Sequence, residues 1–126
     1  MRKSGLLVFL IVLFAGCDPV YHLTYSVVNK SGKTIYVAAK ASAASPGFVL
    51  AVPPGSSAQV SESGGVGFAR EKYRENVGAV SGALTYFSDS SLSDSGFFRP
   101  SLEWQFHRDG LADGHATLTI RKRDLK

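Results

Sequence analysis

The sequence predicts an all-β domain, either an antiparallel β-sandwich of immunoglobulin-like size or an open barrel, with at most one short helix. Several short segments alternate apolar and polar residues with a period of two, and turns rich in Gly, Pro and Asn separate them at close spacing. Only one segment shows helical spacing. About six to seven short strands with such turns are typical of sandwiches and open barrels.

The first seventeen residues have the layout of a secretory signal. Arg2 and Lys3 give a basic start, an apolar run covers residues 6–14, and two small residues precede Cys17. A membrane-spanning helix needs about 20 apolar residues, so this run is too short to cross a bilayer. We therefore expect residues 1–16 to be removed as a signal peptide.

The segment Phe14-Ala15-Gly16-Cys17 resembles the lipobox of bacterial lipoproteins, in which a cysteine follows two small residues at the end of an apolar segment. That family usually has leucine at the position of Phe14. The resemblance covers residues 1–18, and it implies cleavage between Gly16 and Cys17. It also implies a diacylglyceryl group on the Cys17 sulfur and an acylated new amino terminus.

A lipid on Cys17 would hold the mature protein to a membrane of the bacterial cell envelope. Each buried methylene contributes about 0.8 kcal/mol, so the two chains of a diacylglyceryl group anchor firmly where one chain does not. Asp18 resembles the signal that keeps lipoproteins in the inner membrane of enteric bacteria, a rule that other bacterial groups do not follow. We prefer the outer membrane and keep the inner membrane as the alternative.

Cys17 has few other roles open to it. It is the only cysteine, so it cannot form an internal disulfide, and nothing beside it in the sequence supports a metal or catalytic role. The remaining alternative is an ordinary signal peptide cut elsewhere, which would leave a free thiol. We therefore expect a lipidated N-terminus at residues 17–19 and a single β domain at residues 20–126, a common size for one domain.

A hairpin is predicted at the start of this domain. Residues 21–27 alternate, with Tyr21, Leu23, Tyr25 and Val27 on one face, and they predict a half-buried strand. Residues 29–32 form a turn, in which Gly32 is free to take a positive φ. Alternation resumes at residues 35–40, so we predict that these two strands pair.

A second pair of strands is predicted next. An apolar strand at residues 48–52 and an alternating strand at residues 57–61 lie on either side of the turn Pro53-Pro54-Gly55. The sequences NKSGKTI and VPPGSS in this half of the chain resemble the opening hairpins of small exported β-sandwich modules. That likeness carries no functional residue.

The second half of the domain begins with a weak helix prediction. Ala69, Tyr73 and Val77 have helical spacing, but like charges repel at the i,i+4 pairs Arg70/Arg74 and Glu71/Glu75. A strand at residues 83–87 and a polar loop at residues 88–96 follow.

The clearest hairpin comes last in the sequence. Leu102, Trp104 and Phe106 lie on one face of its first strand, and Leu118 and Ile120 lie on one face of its second. Residues 108–114 join the two strands. We therefore predict a hairpin that faces the core, with Trp104 as its largest contributor.

Two histidines and two aspartates surround the loop of this hairpin. His107 and His115 share the parity of the polar face, and imidazole with the carboxylates of Asp109 and Asp113 could hold zinc. The Asp-Gly steps are also what a turn requires. We prefer the turn interpretation, so these four residues stay candidates only, and we predict no metal and no cofactor.

The sequence contains no nucleophile elbow and no nucleotide-binding loop, so we expect no enzymatic activity. The small excess of basic over acidic residues does not favour nucleic acid as a partner. The preferred hypothesis is a non-enzymatic binding or structural module of the cell envelope, with an envelope protein as its partner. The alternative is a small-molecule or glycan-binding lipoprotein, in which Trp104 or Tyr86 should line a groove.

Overall fold

The computed structural model describes residues 18–41, 47–100 and 103–125, and this part of the chain is mostly β. Its strands form two separate sheets of four, with the orders β4-β1-β8-β7 (sheet 1) and β3-β2-β5-β6 (sheet 2). The strands are β1 (Val20–Lys30), β2 (Ile35–Ala39), β3 (Phe48–Val52), β4 (Ser57–Val66), β5 (Leu84–Phe87), β6 (Phe97–Phe98), β7 (Gln105–Arg108) and β8 (Gly114–Arg121). One helix, α1 (Ala69–Ala83), connects β4 to β5, and a 3-10 turn (Lys122–Leu125) follows β8.

The first four strands form one long antiparallel ribbon that is folded in half. β1 pairs with β4, and β2 pairs with β3, so each half of the ribbon belongs to a different sheet. The predicted pairing of the first strand with the second was therefore wrong, and so was that of the third with the fourth. The strands themselves were placed correctly, but both turns carry the chain from one sheet to the other.

The ribbon folds at a corner made by Asn29–Lys33 and Pro53–Ser56, and Asn29 is fully buried there. Its side-chain amide donates to the carbonyls of Lys33 (2.6 Å) and Val52 (2.8 Å). Its Oδ1 accepts from the backbone N–H and the hydroxyl of Ser31, at 2.9 and 2.6 Å. Its backbone N–H donates to Ser56 O, and its carbonyl accepts from Gly55 N–H. Asn29 thus joins the two crossing segments without leaving any of its own polar groups unpaired.

Sheet 1 is mixed rather than antiparallel, because β1 and β8 run parallel from the pair Leu23/Gly114 to the pair Lys30/Arg121. The prediction of a purely antiparallel architecture was wrong at this point. β1 is flanked on both edges, which suits its row of fully or nearly fully buried side chains at Leu23, Tyr25 and Val27. Residues of both sheets and of α1 contribute to one hydrophobic core.

Helix α1 forms despite its like-charge pairs, and it runs beyond the predicted segment to Ala83. Ala69 is buried, and Tyr73, Val77 and Val80 pack against the core from the same face of the helix. Packing of this face, rather than helix propensity, stabilises the helix. Lys72 and Glu75, 3.5 Å apart, add one favourable ion pair. No helix within the described residues is long and apolar enough to cross a membrane.

The predicted hairpin at the end of the domain is confirmed as β7 and β8, which pair from Gln105/Thr117 to Arg108/Gly114. Trp104 is buried just before β7 and meets Tyr25 edge to face, with 5.5 Å between ring centroids. Leu102 lies outside the described residues. A Cβ at Gly114 would overlap the ring of Phe106, so only glycine fits where β8 begins.

Candidate functional site

The predicted lipidation and cleavage residues, Cys17 and Gly16, lie outside the described residues. The described chain begins at Asp18, directly after Cys17. Pro19 is already fixed to the domain, because its carbonyl accepts a hydrogen bond from Gly67 N–H at 2.8 Å. This bond joins the residue before β1 to the residue after β4.

The structure brings together three of the four candidate metal ligands. His107 and His115 are paired across β7 and β8, and their rings stack with 5.0 Å between centroids. Nδ1 of His115 lies 2.6 Å from Asp109 Oδ1 and 2.8 Å from Oδ2. Asp113 faces β1 instead, where its Oδ1 accepts from the backbone N–H of His22 at 2.8 Å.

Stacked imidazole rings and a carboxylate bonded to one of them make up this cluster. Within the described ranges, no three side chains of His, Cys, Asp or Glu are grouped so that they could hold an ion. Asp109 and Asp113 bond to other groups at either end of the loop, and Asp109 N–H donates to Asp113 O at 3.0 Å to close it. These contacts of Asp109, Asp113 and His115 fix the conformation of the loop between β7 and β8.

A more suggestive site lies beside this loop, in an open groove between α1 and β7. We call it the arginine groove: Arg70, Tyr73, Arg74, Phe106 and Arg108 line a volume of about 420 Å³. The rings of Tyr73 and Phe106 stack with 5.2 Å between centroids and an interplanar angle of 25°. The helix supplies two arginines one turn apart on either side of Tyr73, and β7 supplies the third.

Two of the three arginines in the arginine groove form no ion pair with any described residue. Among the described residues, Arg70 and Arg74 have no hydrogen bond and no acidic partner. Nε of Arg108 donates to Gly110 O at 2.8 Å, which aims this side chain along the loop. Guanidinium groups bind carboxylates and phosphates through paired N–H donors, so the groove suits an anionic group.

The aromatic pair of the groove is held in a fixed position. The hydroxyl of Tyr73 donates to the carbonyl of Trp104 at 3.0 Å, and its ring also contacts Tyr25. Burial, and secondarily the nearby carboxylate of Glu103, raises the pKa of Tyr73 above its ordinary value. Tyr73 therefore stays neutral at physiological pH and offers a ring edge and face rather than a charge.

Both aromatic residues named from the sequence line shallow grooves. Trp104 borders a volume of about 330 Å³ together with Val77 and Glu103, and Tyr86 borders one of about 430 Å³ with Phe97 and Arg99. Each is more than nine-tenths buried. The indole Nε1 and the Tyr86 hydroxyl have no hydrogen-bond partner in the described structure.

The arginine groove was not predicted from the sequence, in which Arg70 and Arg74 were interpreted only as a repulsive pair that weakens a helix. The repulsion between Arg70 and Arg74 was the available signal of an anion-binding site. Like charges one turn apart destabilise a helix, and a bound anion would remove this repulsion. Phe106 and Arg108 come from β7, which local sequence patterns could not place beside the helix. Comparisons of the chain with protein-family models, with curated proteins and with solved structures gave no match.

Proposed function

We propose that this protein is a bacterial lipoprotein, anchored to a membrane of the cell envelope by a lipid on Cys17. The lipobox-like segment supports cleavage after Gly16 and lipidation of the new N-terminus at residues 17–19. The fold that follows is consistent with a small β-sandwich of immunoglobulin-like size. The outer membrane is the preferred location, with the inner membrane as the alternative because of Asp18.

The β domain is a non-enzymatic binding module of the envelope, and the arginine groove is its binding site. The observation that carries this proposal is the unpaired charge of Arg70 and Arg74 beside a stacked aromatic pair. Maintaining two arginines at i,i+4 that form no ion pair is unfavourable for the isolated domain. A partner that supplies carboxylates would remove this cost, so the expected partner is an envelope protein with an acidic segment.

The anchor is tested by the intact mass of the N-terminal peptide from detergent-extracted membranes. A peptide that begins at Cys17 and carries the mass of a diacylglyceryl group and an acyl chain is the expected result. An unmodified peptide, or one that begins elsewhere, would contradict the proposal of a lipoprotein.

The groove is tested by crosslinking in cells. A photo-crosslinking amino acid at Glu71, an exposed helix residue next to Arg70, should capture an envelope protein through a peptide rich in Asp and Glu, and Arg70→Glu should abolish this capture. The same amino acid at Arg123, an exposed arginine on the 3-10 turn, is the matched control. Capture of the same proteins from both positions, or insensitivity to Arg70→Glu, would rule out the groove as the binding site.

The second candidate is a small-molecule or glycan-binding lipoprotein, which the aromatic lining of the grooves favours. Sugar rings pack against aromatic faces, and Tyr73, Phe106 and Trp104 lie within one connected cluster of rings. Trp104 is the only tryptophan, so its fluorescence reports directly on this region. A saturable change with envelope oligosaccharides would support the alternative, and unchanged emission across the panel would eliminate it.

A further inference from the structure

The end of the domain next to Cys17 exposes several large apolar side chains. Val20 at the start of β1 is 70% exposed, and its partner Val66 at the end of β4 is 64% exposed. Phe68 and Leu111, 42% and 79% exposed, line a shallow cavity of about 300 Å³. We call these four side chains the apolar rim. They are four of the six large apolar side chains that the described residues leave exposed.

Backbone hydrogen bonds bring the segments of the apolar rim to the same end of the domain. Gly67, between Val66 and Phe68, donates its N–H to Pro19 O at 2.8 Å, with a φ of +128° that favours glycine. Ala69 N–H, at the start of α1, donates to the carbonyl of Ala112 at 2.8 Å. The beginning of β1, the end of β4, the start of the helix and the β7–β8 loop therefore meet at the same end of the domain.

We propose that the apolar rim docks into the headgroup layer of the bilayer that holds the lipid on Cys17. This inference rests on the proposed lipidation. Pro19 is fixed to the domain, and two trans peptide steps from Pro19 to Cys17 span at most about 8 Å. The headgroup layer of one leaflet is about 5–8 Å thick. Because the segment from Pro19 to Cys17 is about as long as the headgroup layer is thick, it keeps the apolar rim in contact with the headgroups.

The chemistry of the rim fits an interfacial position. The free energy falls when exposed apolar side chains move from water to the boundary between headgroups and acyl chains. Arg70 and Arg108 line the same cavity as Phe68 and Leu111, where their guanidinium groups can reach lipid phosphates. Asp18 and Glu71 at this end offset that charge. The apolar contacts therefore drive the docking, and it should persist at high salt.

The test places an environment-sensitive fluorophore on the rim of the full mature lipoprotein. Leu111→Cys is labelled with bimane, and Lys33→Cys at the corner, roughly 35 Å away along β1, is the matched control. A lipidated Cys17 sulfur is a thioether that does not react with the label. Both proteins are reconstituted into vesicles of phosphatidylethanolamine and phosphatidylglycerol in equal amounts, and the fluorophores are exposed to aqueous iodide.

The probe at Leu111 should emit at shorter wavelength and be quenched roughly threefold less than the probe at Lys33, because interfacial side chains are shielded from water. Val66→Cys should behave like Leu111→Cys. Equal quenching at Leu111 and Lys33 in a protein whose mass shows lipid on Cys17 would overturn the docking alone. A mass without lipid would overturn the anchor and the docking that rests on it.

Discussion

The corner and the apolar rim lie at opposite ends of β1 and differ in how far their residues are buried. At the corner, Asn29 is fully buried and every polar group of its side chain bonds within the chain. At the rim, Val20 and Leu111 are largely exposed, and the neighbouring Arg70 has no partner in the described structure. The corner is completed by the chain itself, whereas the rim and the arginine groove leave surfaces that only another molecule would cover.

This difference predicts that residues important for stability and residues important for binding lie at opposite ends of the domain. Substitution of the buried Asn29 at the corner should destabilise the protein strongly, because buried groups have no water to replace lost partners. Substitutions at the exposed rim should change binding and leave stability almost unaltered. The free energies of unfolding of matched variants test this prediction.

The largest effect is expected for Asn29→Ala. The substitution removes the side-chain partner of the buried carbonyl of Val52 and of the buried backbone N–H of Ser31, which should lower the free energy of unfolding by about 4 kcal/mol. Asn76→Ala, on the helix, is the control and should change it by less than about 1 kcal/mol. Urea unfolding measures both variants. Similar losses at the two positions would show that the corner is not the self-contained element described above.

The next effect is expected at the hairpin that carries the loop of the rim. In Gly114→Ala the new methyl group overlaps the Phe106 ring, so the ring or strand must shift, at a cost of about 2 kcal/mol. Gly110→Ala lies in the same loop with open space around it and is the matched control. Thermal unfolding should separate the two variants by several degrees, and equal midpoints would contradict the close approach of Phe106.

A third prediction uses Tyr86, a buried polar group that lacks a partner, in contrast to Asn29. Burial raises the pKa of Tyr86 from 10.0 to about 12. The unfolded chain therefore releases this proton first, and the stability that Tyr86 contributes, complete below pH 10, is lost as the pH rises towards 12. The loss should reach about 1 kcal/mol at pH 11.

Tyr86→Phe removes this proton and keeps the ring, so it isolates the contribution of the hydroxyl. The variant should be at least as stable as the natural protein at pH 7, since it buries no unpaired hydroxyl. Between pH 10 and 12 its stability should fall less steeply. Parallel slopes for the two proteins in urea unfolding across this range would contradict the raised pKa.

The smallest effect on stability is expected at the rim. Leu111→Ser changes a largely exposed side chain, so the free energy of unfolding should stay within about 0.5 kcal/mol of its original value. The same variant should weaken the contact of the domain with vesicles. A loss of stability comparable to that of Gly114→Ala would show that Leu111 packs within the protein and is not available to a membrane.

Local signals allowed the strands and the last hairpin to be predicted. Alternation in β1 and β8, and the Asp-Gly turn before Gly114, depend on neighbouring residues and were sufficient to place them. The corner was predicted as an ordinary turn, since the residues Asn29 to Gly32 suit either structure. What decides between them is the contact of Asn29 with Val52, which is remote in sequence.

The candidate sites also differ in how far local sequence patterns predict them. His107 and His115 were predicted to share the polar face of the hairpin, and their rings stack there, because the pairing of β7 with β8 sets these two residues opposite each other. The arginine groove depends on how α1 packs against β7, which no local pattern specifies. The parallel pairing of β1 with β8 was missed for the same reason.

That parallel pairing sets the order in which the protein can form. The first and last strands are neighbours, and His22 bonds to Asp113 across 91 positions of the chain. As the polypeptide is synthesised, β1 is completed first and keeps one edge unpaired until β8 is available. Contacts between such distant segments slow folding. The protein must therefore avoid aggregation until β8 has been synthesised, and a chain truncated before β8 should not fold.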